Sequence, residues 1–515
     1  MHKQQTDHLF QLVKSLSKSE KRNFRLYVTR AGNSSENTKF LKLFDLISKM
    51  DDYNEDIILS NSNDFKPSQL SNLKAHLYRQ LLISLRLVNI SSDFDLRIRE
   101  QLDHAKVLYN KGLYTQSLKV LEKLKALTLK YKRYSIHYEV IDFERQIELQ
   151  YITRSMETRS AELALEANDT LRIIENSNHF ANVALKLYGL YIKVGYIRNK
   201  KDLTMAGQFF NDNIRPFEIE KCTFFEKLHI YQCYVWYNLI IQDFLNCFKY
   251  AQKWVDLFDE DEELKIVYAD LYLKGINNLL VSLFLTQHYS RYVKVLDVLC
   301  NLADNEEFKK DDNTAILLFN FKYIHLISKY FMEGKFTDGL AIIPEIEKGM
   351  EIYKMHMDKH RLLVFDYKIA CLYFGSGDYK NTIKYLNRII NLRDINIRED
   401  IHCFARILNL ISHFELGNRD LMDYQVISVY RFLAKMDDLH QVQKYIFKFL
   451  RNLSYISEAD LHTQFVGLHS QLSRLQDDPF ERRPFLYLDI VSWLESKIRG
   501  KSVQDIIREK ATRLR

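Results

Sequence analysis

Apolar residues recur along the 515-residue chain at intervals of three and four, and short polar or glycine-containing breaks divide them into helical segments. The stretch Leu363–Leu392 shows the unit most clearly. Phe365, Ile369, Leu372 and Tyr373 keep helical spacing, Gly375-Ser376-Gly377-Asp378 interrupts them, and the pattern resumes with Tyr379, Ile383, Leu386, Ile389 and Ile390. Glycine tolerates positive φ, so the first helix can stop there and the chain reverse. Two amphipathic helices joined by so short a turn make an αα-hairpin, which needs neighbours to bury both faces.

The same break recurs. Lys111-Gly112-Leu113-Tyr114, Gln242-Asp243-Phe244, Gln287-His288-Tyr289, Glu333-Gly334-Lys335-Phe336 and Leu416-Gly417-Asn418-Arg419 each separate two apolar-periodic runs. From Phe244 through Tyr289, Phe336 and Tyr379 to Arg419, the residues just past the turns are 45, 47, 43 and 40 positions apart. An aromatic side chain there fills the gap between one hairpin and the next.

Ala370, Tyr373, Gly377-Asp378-Tyr379, Thr382-Ile383 and Ile389 together resemble a tetratricopeptide-repeat (TPR) unit. Asp366 stands where the early tryptophan is usual, Ala370 where the middle glycine is, and Thr382 where alanine follows the turn. The intervals exceed the ~34 residues of a strict TPR, so the helices or connections here are longer. LSKSEKRNFRLYV near the start and DPFERRPFLYLDIVSWLESKI near the end carry a resemblance to a bacterial group of TPR-like helical proteins with no assigned activity. The resemblance implies an all-α superhelical solenoid of αα-hairpins. It also implies a partner-binding groove on the concave side, carried here by Trp236, Leu239, Asn277, Phe284, Phe331, Tyr367, Phe374 and Phe414. A TPR carboxylate clamp would place Lys and Asn at such positions, and only Asn277 matches in type. The lining is instead apolar and aromatic, suited to an amphipathic helix or apolar peptide. Leu239, Phe284, Phe331, Phe374 and Phe414 hold equivalent places in five successive hairpins, and a partner, neighbouring helices or the terminal helix can cover that row.

Four regions follow. Residues 1–92 read as a helical N-terminal cap, 93–262 as degenerate helix pairs, 263–436 as the clearer repeats, and 437–515 as C-terminal helices that close the solenoid. Thr6 is an expected helix cap, and Ser17-Lys18-Ser19-Glu20 an expected capping box. Gly32 to Ser35 should break the second helix, and Phe485–Arg499 should form one continuous helix. Ser502 should cap a terminal helix striped by Val503, Ile506, Ile507, Lys510 and Leu514.

Only 14 glycines and 5 prolines interrupt the chain, which leaves little room for an all-β or doubly wound fold. No apolar run approaches the ~18 residues of a membrane span, and the first residues lack a secretory pattern. Six cysteines without a CxxC pair read as reduced thiols, so a cytoplasmic location is expected. The net charge of +7 gathers at the two ends: sixteen Lys/Arg oppose eleven Asp/Glu through Arg99, and seven oppose two from Ser496 onward.

Candidate chemistry is sparse. Phe374-Gly375-Ser376-Gly377 follows no strand and reads as a turn between helices. His356 with His360, and Cys222, Glu226, His229 and Cys233, keep one-face spacing, but the latter spread over too many turns to meet one tetrahedral ion. Glu144 and Glu148 read as a solvated helical face. Lys18, Lys21, Arg22 and Arg25 share a basic face that could meet phosphates. The leading expectation is a non-catalytic protein- or peptide-binding adaptor without cofactor, metal or membrane contact. Nucleic-acid association through the basic helix is the alternative, and an unrecognised enzyme the third class.

Overall fold

The computed structural model describes residues 7–30, 35–60, 65–150, 158–309, 311–392, 398–435, 440–452, 458–478, 480–487 and 489–514. The expected Thr6 cap and the break at 32–34 lie outside them. The described residues are α-helical with short 3-10 turns and contain no strand. No helix among them is long and apolar enough to cross a membrane.

The chain divides into two compact units, Met1–Thr170 and Leu171–Arg515. The first holds α1 (His8–Ser15), α2 (Lys18–Arg30), α3 (Ser35–Lys49), α4 (Glu55–Ser60), α5 (Pro67–Asn89), α6 (Phe94–Asn110), α7 (Tyr114–Lys130) and α8 (Tyr134–Gln150). Asp7 caps α1 by accepting from the Phe10 amide. The Ser17/Glu20 capping box forms as expected: Ser17 N–H donates to Glu20 and Glu20 N–H donates to Ser17 Oγ. Val13, Phe24, Phe44 and Leu77 centre one core, while Ile98, Leu121 and Val140 centre another between α6, α7 and α8.

Helix α9 (Ser160–Val194) runs 35 residues and carries the boundary between the units. The second unit continues with α10 (Lys200–Asn213), α11 (Phe224–Ile240), α12 (Phe244–Asp256), α13 (Glu262–Val267), α14 (Ala269–Leu285), α15 (Tyr289–Asp304) and α16 (Asp312–Glu333). Then come α17 (Phe336–Gly339), α18 (Ile343–Ile352), α19 (Lys359–Ser376), α20 (Tyr379–Ile390), α21 (Glu399–Glu415) and α22 (Arg419–Lys435). The last are α23 (Gln441–Asn452), α24 (Glu458–Ser473), α25 (Arg483–Tyr487), α26 (Ile490–Arg499) and α27 (Val503–Leu514). From α11 to α22 each long helix packs on the next, and α14, α16, α19 and α21 also touch in sequence.

One turn joins most hairpins, and its geometry repeats. Gly112, Gln242, Gln287, Gly334, Gly377 and Gly417 all have φ between +56° and +87°. Each donates its N–H to the carbonyl three residues back, and the next residue donates to the carbonyl five residues before itself, as in Gly377→Phe374 and Asp378→Tyr373. This double bond satisfies carbonyls that a helix end leaves open. A seventh copy, Lys132-Arg133-Tyr134, carries the same bonds and was not marked in the sequence.

Two sequence expectations need correction. The span 485–499 is two helices, because Asp489 caps α26 by accepting from the Ser492 amide. Glu144 and Glu148 are buried rather than solvated. Lys125 and Arg159 reach Glu144 at 2.7 and 2.6 Å. Burial alone would push this carboxyl up, but its hydrogen bonds with those cations hold it below the ordinary value.

Candidate functional site: the row at the helix ends

The turn fixes what the five row positions have in common. Leu239, Phe284, Phe331, Phe374 and Phe414 are the residues whose carbonyls accept from the left-handed residue of the following turn. Their side chains therefore leave the last turn of α11, α14, α16, α19 and α21 in one register. In that register two of them meet the aromatic just past the turn. Phe331 stacks on Phe336 at 5.4 Å, and Phe374 meets Tyr379 edge-on at 5.5 Å.

Burial then differs along the row. Leu239 and Phe374, with Tyr367 nearby on α19, are core residues. Phe414 is half-buried and faces Phe449, Phe465 and Trp493 from α23, α24 and α26. Glu415 beside it accepts from Trp493 Nε1 and pairs with Lys497, both at 2.5 Å, which fastens α26 to α21. Phe331 is half-buried, and α27 lies across α16 and α19 at this level. The C-terminal helices thus cover the row from Phe331 onward. Trp236, Asn277 and Phe284 are half-buried, and Arg482 of the C-terminal segment reaches the turn after α11, donating to Gln242 Oε1 at 2.8 Å.

Around Phe284 the helices enclose an ammonium. Lys368 on α19 donates to Ser328 Oγ at 2.7 Å and lies 5.6 Å from the Phe284 ring and 5.4 Å from the Phe331 ring. No carboxylate among the described residues lies within ion-pair distance of it. Burial pushes its amine down to about 8; the Cys371 thiol opposes the drop and Arg398 adds to it. Asn277 Oδ1 meets His325 Nε2 at 3.0 Å, which fixes the orientation of the amide. Burial holds His325 neutral, with its imidazole pushed down to about 3, and its Nδ1 lies 3.1 Å from the Tyr292 hydroxyl.

A second cluster surrounds Trp236. Tyr188 and Tyr191 of α9 lie 4.7 and 5.6 Å from its ring, and the Arg398 guanidinium lies 5.5 Å from Tyr191. Arg398 forms a buried bidentate pair with Asp400 at 2.9 and 2.7 Å and comes within 3.4 Å of His360. Burial, with Arg398 adding, pushes His360 down to about 4.

Glu226, Cys233 and His229, from the spaced set on α11, have partners within the fold. Glu226 closes a capping box with Thr223, Cys233 Sγ donates to the Phe180 carbonyl, and His229 meets Gln232. On α2, Lys18, Arg22 and Arg25 are exposed and Lys21 is half-buried. Arg25 pairs with Asp45 at 2.7 Å. Burial lowers the Lys21 amine, and Lys14 and Arg25 lower it further.

Sequence reading passed over Lys368 and the Arg398–Asp400 pair. The signal for Lys368 was its place on α19, next to the expected groove residue Tyr367. Arg398 and Asp400 left no such signal, because their importance comes from distant neighbours. Comparison with protein-family models, curated proteins and solved structures returns no match.

Proposed function

We propose that the chain is a non-catalytic adaptor with a TPR-like solenoid in its second unit, binding a protein or peptide segment along the uncovered part of the row. The supporting observation is chemical. Tyr188, 39% exposed, and the half-buried Trp236 and Phe284 keep aromatic surface accessible, and beside Phe284 lies an ammonium with no acidic partner among the described residues. A segment presenting an apolar side chain to the rings and an acidic group to Lys368 would satisfy both. Tyr188→Ala and Phe284→Ala should reduce capture of protein partners that persists after nuclease treatment, with little change in melting temperature. Undiminished capture by both variants would rule the reading out.

The crowding of Lys14, Lys21 and Arg25 favours one second reading, an anion site on α2 that meets nucleic acid. Replacing Lys18 and Arg22 by Ala should then weaken binding to a duplex and flatten its salt dependence. Unchanged binding at low salt would remove α2 from the case.

A further inference from the structure

Helix α27 reveals what the surface beneath it accepts. It lies against α16, α19 and α26. Val503 and Ile506 are buried and Ile507 half-buried, at positions i, i+3 and i+4. Its backbone crosses so near Gly334 that a β-carbon there would sit 2.5 Å from the Arg508 amide nitrogen and 2.8 Å from the Gln504 carbonyl oxygen. Only glycine permits that approach. Arg508 Nη2 donates to the Gly334 carbonyl at 3.4 Å, just past the end of α16, where open carbonyls favour a cation. Thr337 Oγ1 donates to Gln504 Oε1 at 3.0 Å. The seat therefore specifies three apolar side chains on one helical stripe, close backbone passage over Gly334, and a cation five residues beyond the first apolar position.

The polar bonds of the occupant run mainly to α26 and to the connection rather than to the seat: Lys510 pairs with Glu495 and donates to Ser492 Oγ, each at 2.9 Å, and Glu509 pairs with Arg499 and Lys501. Gly500 stands at φ +62° with open space where its β-carbon would be, and Lys501 and Ser502 in the connection are exposed. Arg508 and Thr512 face water, and the bond between Thr337 and Gln504 lies where water can replace it. A free helix of this length is marginal in water, so α27 depends on its seat for its fold.

We propose that the α16–α19 surface around Gly334 is a helix-binding site for a partner protein's amphipathic, cationic helix, and that α27 is its resident competitor. The inference rests on the adaptor reading and names the class of partner. Its test uses a fluorescent synthetic peptide of residues 501–515 and full-length variants. Ile506→Asp removes the central anchor of α27 in cis and leaves the seat intact. This variant should bind the peptide at least tenfold more tightly than the wild-type chain does. Adding Gly334→Ala should abolish the gain, because the new methyl blocks the seat. Adding Gly417→Ala instead should preserve it, since that glycine shares the positive φ but has open space. A folded Ile506→Asp chain that does not bind the peptide would overturn the proposal. Hydrogen exchange on the wild-type chain decides the matter if that variant does not fold. Amides of α27 should exchange faster than those of α16 and α19, and exchange of all three only together would also overturn it. Peptide binding with unchanged partner capture by the Tyr188 and Phe284 variants would uphold the seat and refute the inner-row reading.

Discussion

Lys368→Met should stabilise the protein near neutral pH. Methionine keeps the unbranched stem against Phe284 and Phe331 and removes an ammonium that no carboxylate among the described residues balances. The folded chain holds the proton less tightly than the unfolded chain, since the amine falls from 10.5 to about 8 on folding. At ~1.36 kcal/mol per pH unit, that drop is worth roughly 3 kcal/mol against the folded state. Lys368 is only half-buried, so solvent screening reduces the figure, and about 1–2 kcal/mol is the expected gain. The sign with pH follows. The penalty is complete below pH 8, and it disappears as pH rises from about 8 to 10.5, where the unfolded chain also loses the proton. Thermal melts of both proteins between pH 7 and 10 should show the variant ahead at pH 7 and the two converging toward pH 10. A variant that melts lower at pH 7, or a gap that ignores pH, would refute the reasoning. A confirmed gain would mean that the native chain keeps a destabilising lysine, as proteins do where binding requires it.

Phe374→Asp should cost several kcal/mol or prevent folding, because it buries an unpaired charge in the second unit's core; soluble, fully helical protein by circular dichroism would contradict this. Glu144→Gln removes the negative charge between Lys125 and Arg159 and should destabilise the first unit by about 3–5 kcal/mol, read from the urea transition of that unit. Gln287→Gly should raise stability by up to about 1 kcal/mol, since Gln287 is exposed at φ +56°, whereas Gly377→Ala at φ +87° should lower it by about as much. Paired melts of these two variants would test the turn geometry directly.

The helices and their turns were legible from sequence because their causes are local. Three- and four-residue apolar spacing, scarce proline and the Gly377-Asp378-Tyr379 pattern act within a few residues, and the positive φ appeared at all six marked turns. Even so, Lys132 adopts the same geometry without glycine, because the Leu129 and Thr128 carbonyls accept its turn bonds whatever its side chain. Residue spacing also placed the five row positions at equivalent helix ends. It did not decide their exposure. Whether Phe414 faces water depends on Phe449, Phe465 and Trp493, which lie 35 to 79 residues further along the chain. The cover over Phe331 is a helix more than 170 residues away in sequence. Burial of Glu144 required Arg159, and the depressed Lys368 amine required rings from two other helices. Periodicity tells which side of a helix is apolar, but only tertiary packing decides what lies against it, and burial and charge balance are properties of that contact.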